Sequence, residues 1–202
     1  MHSRTDRNHS QISMTPARRS RSRGTSIVEF TLVLPLLLIM ILALIEFGSL
    51  IQSRLIVANV AREGASIASR SLTLDNALAN LVAISAHPLV LNGALGRVVI
   101  TRITAGTKAA VNPPITGTYM AGGLAQASSI ASGSANLGLP ANLYQHLVYK
   151  TGRAAPGVDG SDVAEMTVVE IFYNYRPITP LFGFVPGLIP STGQLLKSRA
   201  IF

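Results

Sequence analysis

Leu32–Ile45 reads LVLPLLLIMILALI, fourteen consecutive residues without a charge. Widening the window to Thr25–Ile51 gives 27 residues with only two charged side chains, Glu29 and Glu46. About 20 residues of helix cross the hydrocarbon core of a bilayer, so this stretch is long enough to span one. The core helix of a water-soluble protein is apolar along one stripe, whereas this one is apolar all round. Pro35 falls early in the run, where a bilayer helix tolerates it with a mild kink. A secretory signal peptide is the rival reading, with an apolar region of about 7–15 residues ending in small residues. Here the segment runs out through Glu46-Phe47-Gly48-Ser49-Leu50-Ile51 with no small-x-small site at the proper distance. The anchor is the better reading.

The charges orient the anchor. The 202 residues carry a net charge of +8, which by itself suggests a nucleic-acid binder. Six arginines (Arg4, Arg7, Arg18, Arg19, Arg21, Arg23) stand against the single acid Asp6 in residues 1–24, so most of the excess lies before the span. Only Arg54 follows closely on the other side. The positive-inside rule then puts the N-terminus in the cytoplasm and residues 52–202 outside it, and a nucleic-acid role is not expected. The chain has no cysteine, which excludes a disulfide framework, a thiolate metal site, a cysteine nucleophile and a lipidated cysteine.

Beyond the span, apolar and small residues recur from Glu46 to Arg70 with polar ones between them, as in one helix that leaves the bilayer and turns amphipathic. Ala58, Ala61, Ala65 and Ala68 allow close packing, either on the helix's own domain or on another subunit. Glu46 and Arg54 lie two turns apart on one face and read as a snorkelling surface pair rather than a partner contact. Thr73 reads as the N-cap of a second helix, with Asp75 and Asn76 in its first turn and Leu74, Leu78, Leu81 and Val82 at helical spacing. Arg97–Thr104, Leu143–Lys150, Ala164–Tyr175 and Leu195–Phe202 read as strands, that at 164–175 as central because both its faces are apolar or aromatic. Residues 105–142, rich in Gly, Ala, Ser, Thr and Pro, read as a long flexible insertion with little core. Arg176–Pro190 holds four prolines and reads as an apolar loop. The expected fold class is α+β: a long N-terminal transmembrane and stem helix packed on a small antiparallel sheet. The expected divisions are a basic cytoplasmic leader 1–24, a transmembrane helix 25–51, and an extracytoplasmic domain 52–202 with stem helix 52–70.

The junction before the span reads Arg23-Gly24-Thr25-Ser26-Ile27-Val28-Glu29-Phe30. A carboxylate in the first turns of a membrane helix is costly unless it is paired or reaches the interface. A cut after Gly24 would create an amino terminus at Thr25, one helical turn from Glu29, in the same chain or a neighbouring one. Alternatively, Glu29 sits in the headgroup zone near Arg23. Geometry leaves both readings open.

A basic leader, then Gly24, four residues, Glu29 and the aromatic Phe30, then an apolar helix, resembles the prepilin-peptidase signal of type IV pilins. The glutamate–aromatic pair is the form found in the Flp branch, where the ring is usually a tyrosine. More specifically, the chain resembles the TadE-like family, minor pseudopilins of the tight-adherence (Tad/Flp) pilus system. That family shows a G-x-x-x-V-E-F start, a proline in an L-P-L-L-L run, a later E-F-G and an A-R-E-G-A segment. The corresponding residues are Gly24–Phe30, Pro35, Glu46–Gly48 and Ala61–Ala65, the last containing Arg62, Glu63 and Gly64. The resemblance implies a non-enzymatic subunit of the bacterial inner membrane acting in pilus assembly and adhesion. It implies processing between Gly24 and Thr25 by a prepilin peptidase, Glu29 and Phe30 acting in register and assembly, and other Tad/Flp proteins as partners. The alternative is an uncleaved single-pass adapter that recruits envelope proteins. Met14 gives a more compact leader than Met1 and is a candidate start.

No constellation for catalysis stands out. His2, His9, His87 and His146 are isolated, there is no phosphate-binding G-x-x-x-x-G-K-[ST] loop, and no serine lies in a nucleophile elbow. Asp159, Asp162 and Glu165 lack the spacing of a calcium loop and read as acids of a turn and a strand start. No cofactor, metal or small-molecule substrate is expected.

Overall fold

The computed structural model describes residues 22–71, 73–151, 154–155, 158–159, 161–179 and 193–202. Most of the basic leader and of the proline-rich segment at 176–190 lies outside the described residues. The chain divides into two compact units, Met1–Ile41 and Leu42–Phe202.

In the first unit the described residues are helical, the start of a single helix α1 (Ser22–Arg70) that contains Pro35. Every residue from 24 to 41 is exposed. The large apolar side chains among them include Phe30 at 65 % and Leu32 at 76 % exposure, with no protein covering them. An uncovered apolar surface of this extent needs lipid or another chain against it. Among the described residues, one helix is long and apolar enough to cross a membrane, and it is this one.

The second unit is α+β. Its sheet has the order β2-β1-β5-β6, antiparallel throughout. The strands are β1 (Gly96–Thr104), β2 (Ile115–Ala121), β5 (Glu165–Tyr175) and β6 (Gln194–Ile201), while β3 (Ala154–Ala155) and β4 (Val158–Asp159) form a separate short pair. The expected central strand is β5, which pairs with β1 along nine residues, Gly96↔Tyr173 to Thr104↔Glu165. Successive side chains of a strand face opposite ways, so β5 serves two cores. Val169 and Ile171 join Val98 and Ile100 of β1 against Val57, Ala61, Ala65 and Ala68 of α1. Met166 and Val168 join Ile103 on the other face.

The first core depends on close approach. Ala61, Ala65 and Ala68 are fully buried, and α2 (Asn76–Ile84) packs Ala79, Val82 and Ala83 beside them. A Cβ added to Gly64 would stand 2.7 Å from Val82 Cγ1 and 3.6 Å from Val169 Cγ1. Only a glycine lets α1, α2 and β5 meet there. The cap of α2 is Asp75, whose carboxylate accepts from the Leu78 amide at 2.8 Å, so the helix begins later than a cap at Thr73 requires. Asn76 Oδ1 also accepts from the Met120 amide of edge strand β2 at 3.0 Å.

Two expectations are corrected on the far face of the sheet. Residues 143–150 were expected to form a strand, but Ala141–Leu147 is a helix, α3, begun by Pro140 at φ −54°. Leu143, Tyr144 and Leu147 recur at helical spacing, and they face the second core. Residues 105–142 were expected to hold little core, yet they contain β2 and bury Ile130 and Leu139 against Met166 and Val168. The segment is fastened to the sheet by a carboxylate. Fully buried Glu170 of β5 accepts from the Ser128 and Ser129 hydroxyls and from the Ser129 amide at 3.1 Å. Arg199 of β6 reinforces this by donating to Gly138 O at 2.9 Å.

Overpacking a close contact costs about 1–3 kcal/mol. Gly64→Leu is therefore expected to lower the thermal midpoint of the full chain in detergent, followed by circular dichroism. Gly48→Ala is the control: a Cβ there meets nothing within 4 Å, so the midpoint should not fall.

Candidate functional site

The sequence motifs all lie on α1, and the structure divides them into two sets. Gly24, Thr25, Glu29 and Phe30 lie in its first turns and are exposed. Beyond its chain neighbours, no described atom lies within 4 Å of a Cβ placed at Gly24. Thr25 and Glu29 are four residues apart and share a helical face. Pro35, Phe47, Gly48, Arg62 and Glu63 are exposed too, and neither Arg62 nor Glu63 forms an ion pair among the described residues. These residues face outward from the helix.

Glu46 and Gly64 turn inward. Glu46 was expected to be a surface residue paired with Arg54, and this is corrected: it is 1 % exposed and engages the end of β5 instead. Tyr175 donates its hydroxyl to Glu46 Oε1 at 2.5 Å. The Ile178 amide donates at 3.1 Å, the Thr179 amide at 2.8 Å and the Thr179 hydroxyl at 2.9 Å, all to Oε2. A buried carboxylate without donors would be prohibitive next to an apolar helix. Four donors satisfy it without a countercharge, and charge-assisted bonds of this kind are shorter and stronger than neutral ones. The chemistry is structural: a clasp joining the helix to the chain just past the central strand.

The clasp also changes Tyr175. Burial, followed by the bond to the Glu46 carboxylate and its charge, raises the Tyr175 hydroxyl above its usual value of 10, while a bond to Ser49 opposes this. Burial raises Tyr173 likewise.

Elsewhere, Asp162 accepts from Lys150 Nζ at 3.2 Å and lies 3.0 Å from His146 Nδ1, a partly exposed ion pair of small energetic weight. Among the described residues no three His, Cys, Asp or Glu side chains come together in a way that could hold a metal ion. The residues that sequence reasoning missed are Tyr175, Ile178 and Thr179. The available signal was Glu46 itself, since an acid inside an apolar helix has to find donors.

Glu46→Ala leaves four donors facing a void and is expected to destabilise the chain more than Tyr175→Phe, which removes one bond worth about 1.5–3 kcal/mol. Urea unfolding of both variants in detergent checks the order. The pH dependence has a definite sign. With its pKa raised in the folded state, Tyr175 contributes stability that is intact below the unfolded-state value near 10 and is lost as pH rises through the folded value. Melting temperatures measured upward from pH 9 should fall, and fall less steeply in Tyr175→Phe.

No match was found among curated proteins or among solved structures. Residues 24–66, the stretch that holds both the outward set and the two inward residues, match the family model for TadE-like protein, the family the sequence resembles.

Proposed function

We propose that this chain is a TadE-like minor pseudopilin that acts in assembly of Tad/Flp pili, and so in surface attachment, as a structural subunit rather than an enzyme. The observation that carries the reading is the ordered set Gly24–Phe30, Pro35, Glu46–Gly48 and Ala61–Ala65 on one unbroken helix, matched by the TadE-like family model. The family is associated with Tad pili, and the apolar helix supports a single-pass membrane protein. In this proposal the arginine-rich leader stays in the cytoplasm, α1 crosses the inner membrane and the sheet lies outside. A prepilin peptidase cuts after Gly24, at the exposed start of the helix, where a Cβ on Gly24 would meet no described atom within 4 Å beyond its chain neighbours. The new amino group at Thr25 then neutralises Glu29 of the same or an adjacent subunit, which sets axial register.

The outward motif residues serve partners of the same assembly system. Gly48 separates the roles cleanly. Gly48→Ala should keep the fold and still reduce pilus-dependent attachment, because the added methyl group meets only what packs against the helix from outside.

The mature N-terminus, determined by intact-mass and terminal peptide mass spectrometry, tests the processing. A terminus at Thr25 is expected, and it should disappear when the prepilin peptidase is deleted or Gly24 is replaced. A chain that keeps its arginines in the presence of the enzyme would instead identify an uncleaved membrane adapter.

A further inference from the structure

The four-stranded sheet has two edges, and they are built differently. On edge strand β2 the Met120 amide is already bonded to Asn76 Oδ1 of α2, and the pairing with β1 slips between Arg102 and Ile103. The other edge is β6, eight residues long and paired with β5 without a slip from Val168↔Ile201 to Tyr175↔Gln194. Thr167 and Phe202 exchange both of their backbone hydrogen bonds, at 2.6 and 2.9 Å. Along an antiparallel ladder, pairs that exchange bonds alternate with pairs that do not. The even-numbered residues of β6 therefore turn their backbone groups to β5, while Leu195, Lys197, Arg199 and Ile201 turn theirs to the open side. Among the described residues those N–H and C=O groups have no partner.

An open edge is a template for one more strand, which would supply backbone groups at the matching spacing. There is room for it. Between β6 and Arg54, Val57 and Ala58 of α1 runs a groove of about 410 Å³, which can take the side chains that an added strand turns toward the helix.

The charges on the edge select the strand. Lys197 stands opposite Phe172 and Arg199 opposite Glu170, so both project from the face of the sheet away from α1. Lys197 Nζ lies 5.5 Å from the centre of the Phe172 ring, and Arg199 donates to Gly138 O. Both side chains are exposed, and neither forms an ion pair among the described residues. Glu170 is fully buried and taken up by Ser128 and Ser129. A second copy of β6, paired over its full length, would bring Lys197 or Arg199 opposite these same cations, and like charges directly opposite each other are destabilising. A strand with carboxylates at those two places gains a cross-strand ion pair at each.

We propose that the β6 edge takes up an extended segment of a partner protein with Glu or Asp at two alternate positions, adding it to the sheet as a further strand. The backbone of Leu195, Lys197, Arg199 and Ile201 bonds the segment. Lys197 and Arg199 select it by charge and keep copies of this chain apart. The inference stands on the sheet alone and uses neither a membrane crossing nor a cut at Gly24, so this measurement and the N-terminal one fail separately.

Hydrogen exchange read residue by residue on the unmodified full chain in detergent tests it, with an eight-residue peptide of alternating glutamate and valine as the probe. Without peptide, the amides of Lys197 and Arg199 should exchange fast and those of Leu196 and Ser198, bonded to β5, slowly. The peptide should slow Lys197 and Arg199 to the rate of these neighbours, and a matched lysine–valine peptide should leave them fast. Methylating the glutamate nitrogens, which face β6 in this pairing, should abolish binding with the charge kept. Lys197→Ala should weaken the glutamate peptide about twofold to fivefold by fluorescence anisotropy. Equal slowing by both peptides, binding without slowing at Lys197 and Arg199, or binding that survives methylation would overturn the proposal. So would slow exchange of these amides in the chain alone, which would show the edge covered by the chain itself or, where it grows with concentration, by a second copy.

Discussion

Glu46 is a carboxylate in an apolar helix, taken out of water and held by four donors from one short stretch of chain. Leaving such a group unsatisfied costs more than most single contacts supply, so the helix and the end of β5 are obliged to meet at this level. The rest of the second unit follows from that obligation. With Tyr175 fixed against Glu46, the odd-numbered side chains of β5 face the helix, and Val169 and Ile171 fall on the alanine face at Ala61, Ala65 and Ala68. The even-numbered side chains then face away and need their own cover, which the segment from β2 to α3 provides.

One helix therefore carries two kinds of information. Its inward positions, Glu46 and Gly64, are set by the fold: one needs donors and the other needs the absence of a side chain. Its outward positions, Gly24, Glu29, Phe30, Gly48, Arg62 and Glu63, are exposed, and nothing among the described residues explains their identity. Such a mixture is what the proposed function asks of the helix, which would hold its own domain with one set and present the other to neighbours.

The long helix was legible because an apolar run of that length has few alternatives, and strands β1, β5 and β6 were legible from β-branched and alternating patterns. The helix Ala141–Leu147 was misread because Leu147, Val148 and Tyr149 at its end resemble a strand, whereas Pro140 and the spacing of Leu143, Tyr144 and Leu147 decide otherwise. The segment 105–142 looked poor in core because its few large apolar residues are scattered. Their burial depends on Glu170, a strand acid whose partners Ser128 and Ser129 are about forty positions distant. Glu46 was misassigned for a similar reason: its donors lie more than 120 residues later, and two of them are backbone amides that no side-chain pattern reveals. Long-range satisfaction of a single buried charge leaves almost no local trace.

Hydrogen exchange at the amides of Ile178 and Thr179 reads the clasp most directly, because these amides have no strand partner and are bonded to Glu46. In the full chain in lipid nanodiscs, both should exchange as slowly as the amides of β5, and Glu46→Gln should release them. Rapid exchange in the unaltered chain, at the rate of an exposed loop, would contradict the clasp and with it the placement of the sheet on the helix.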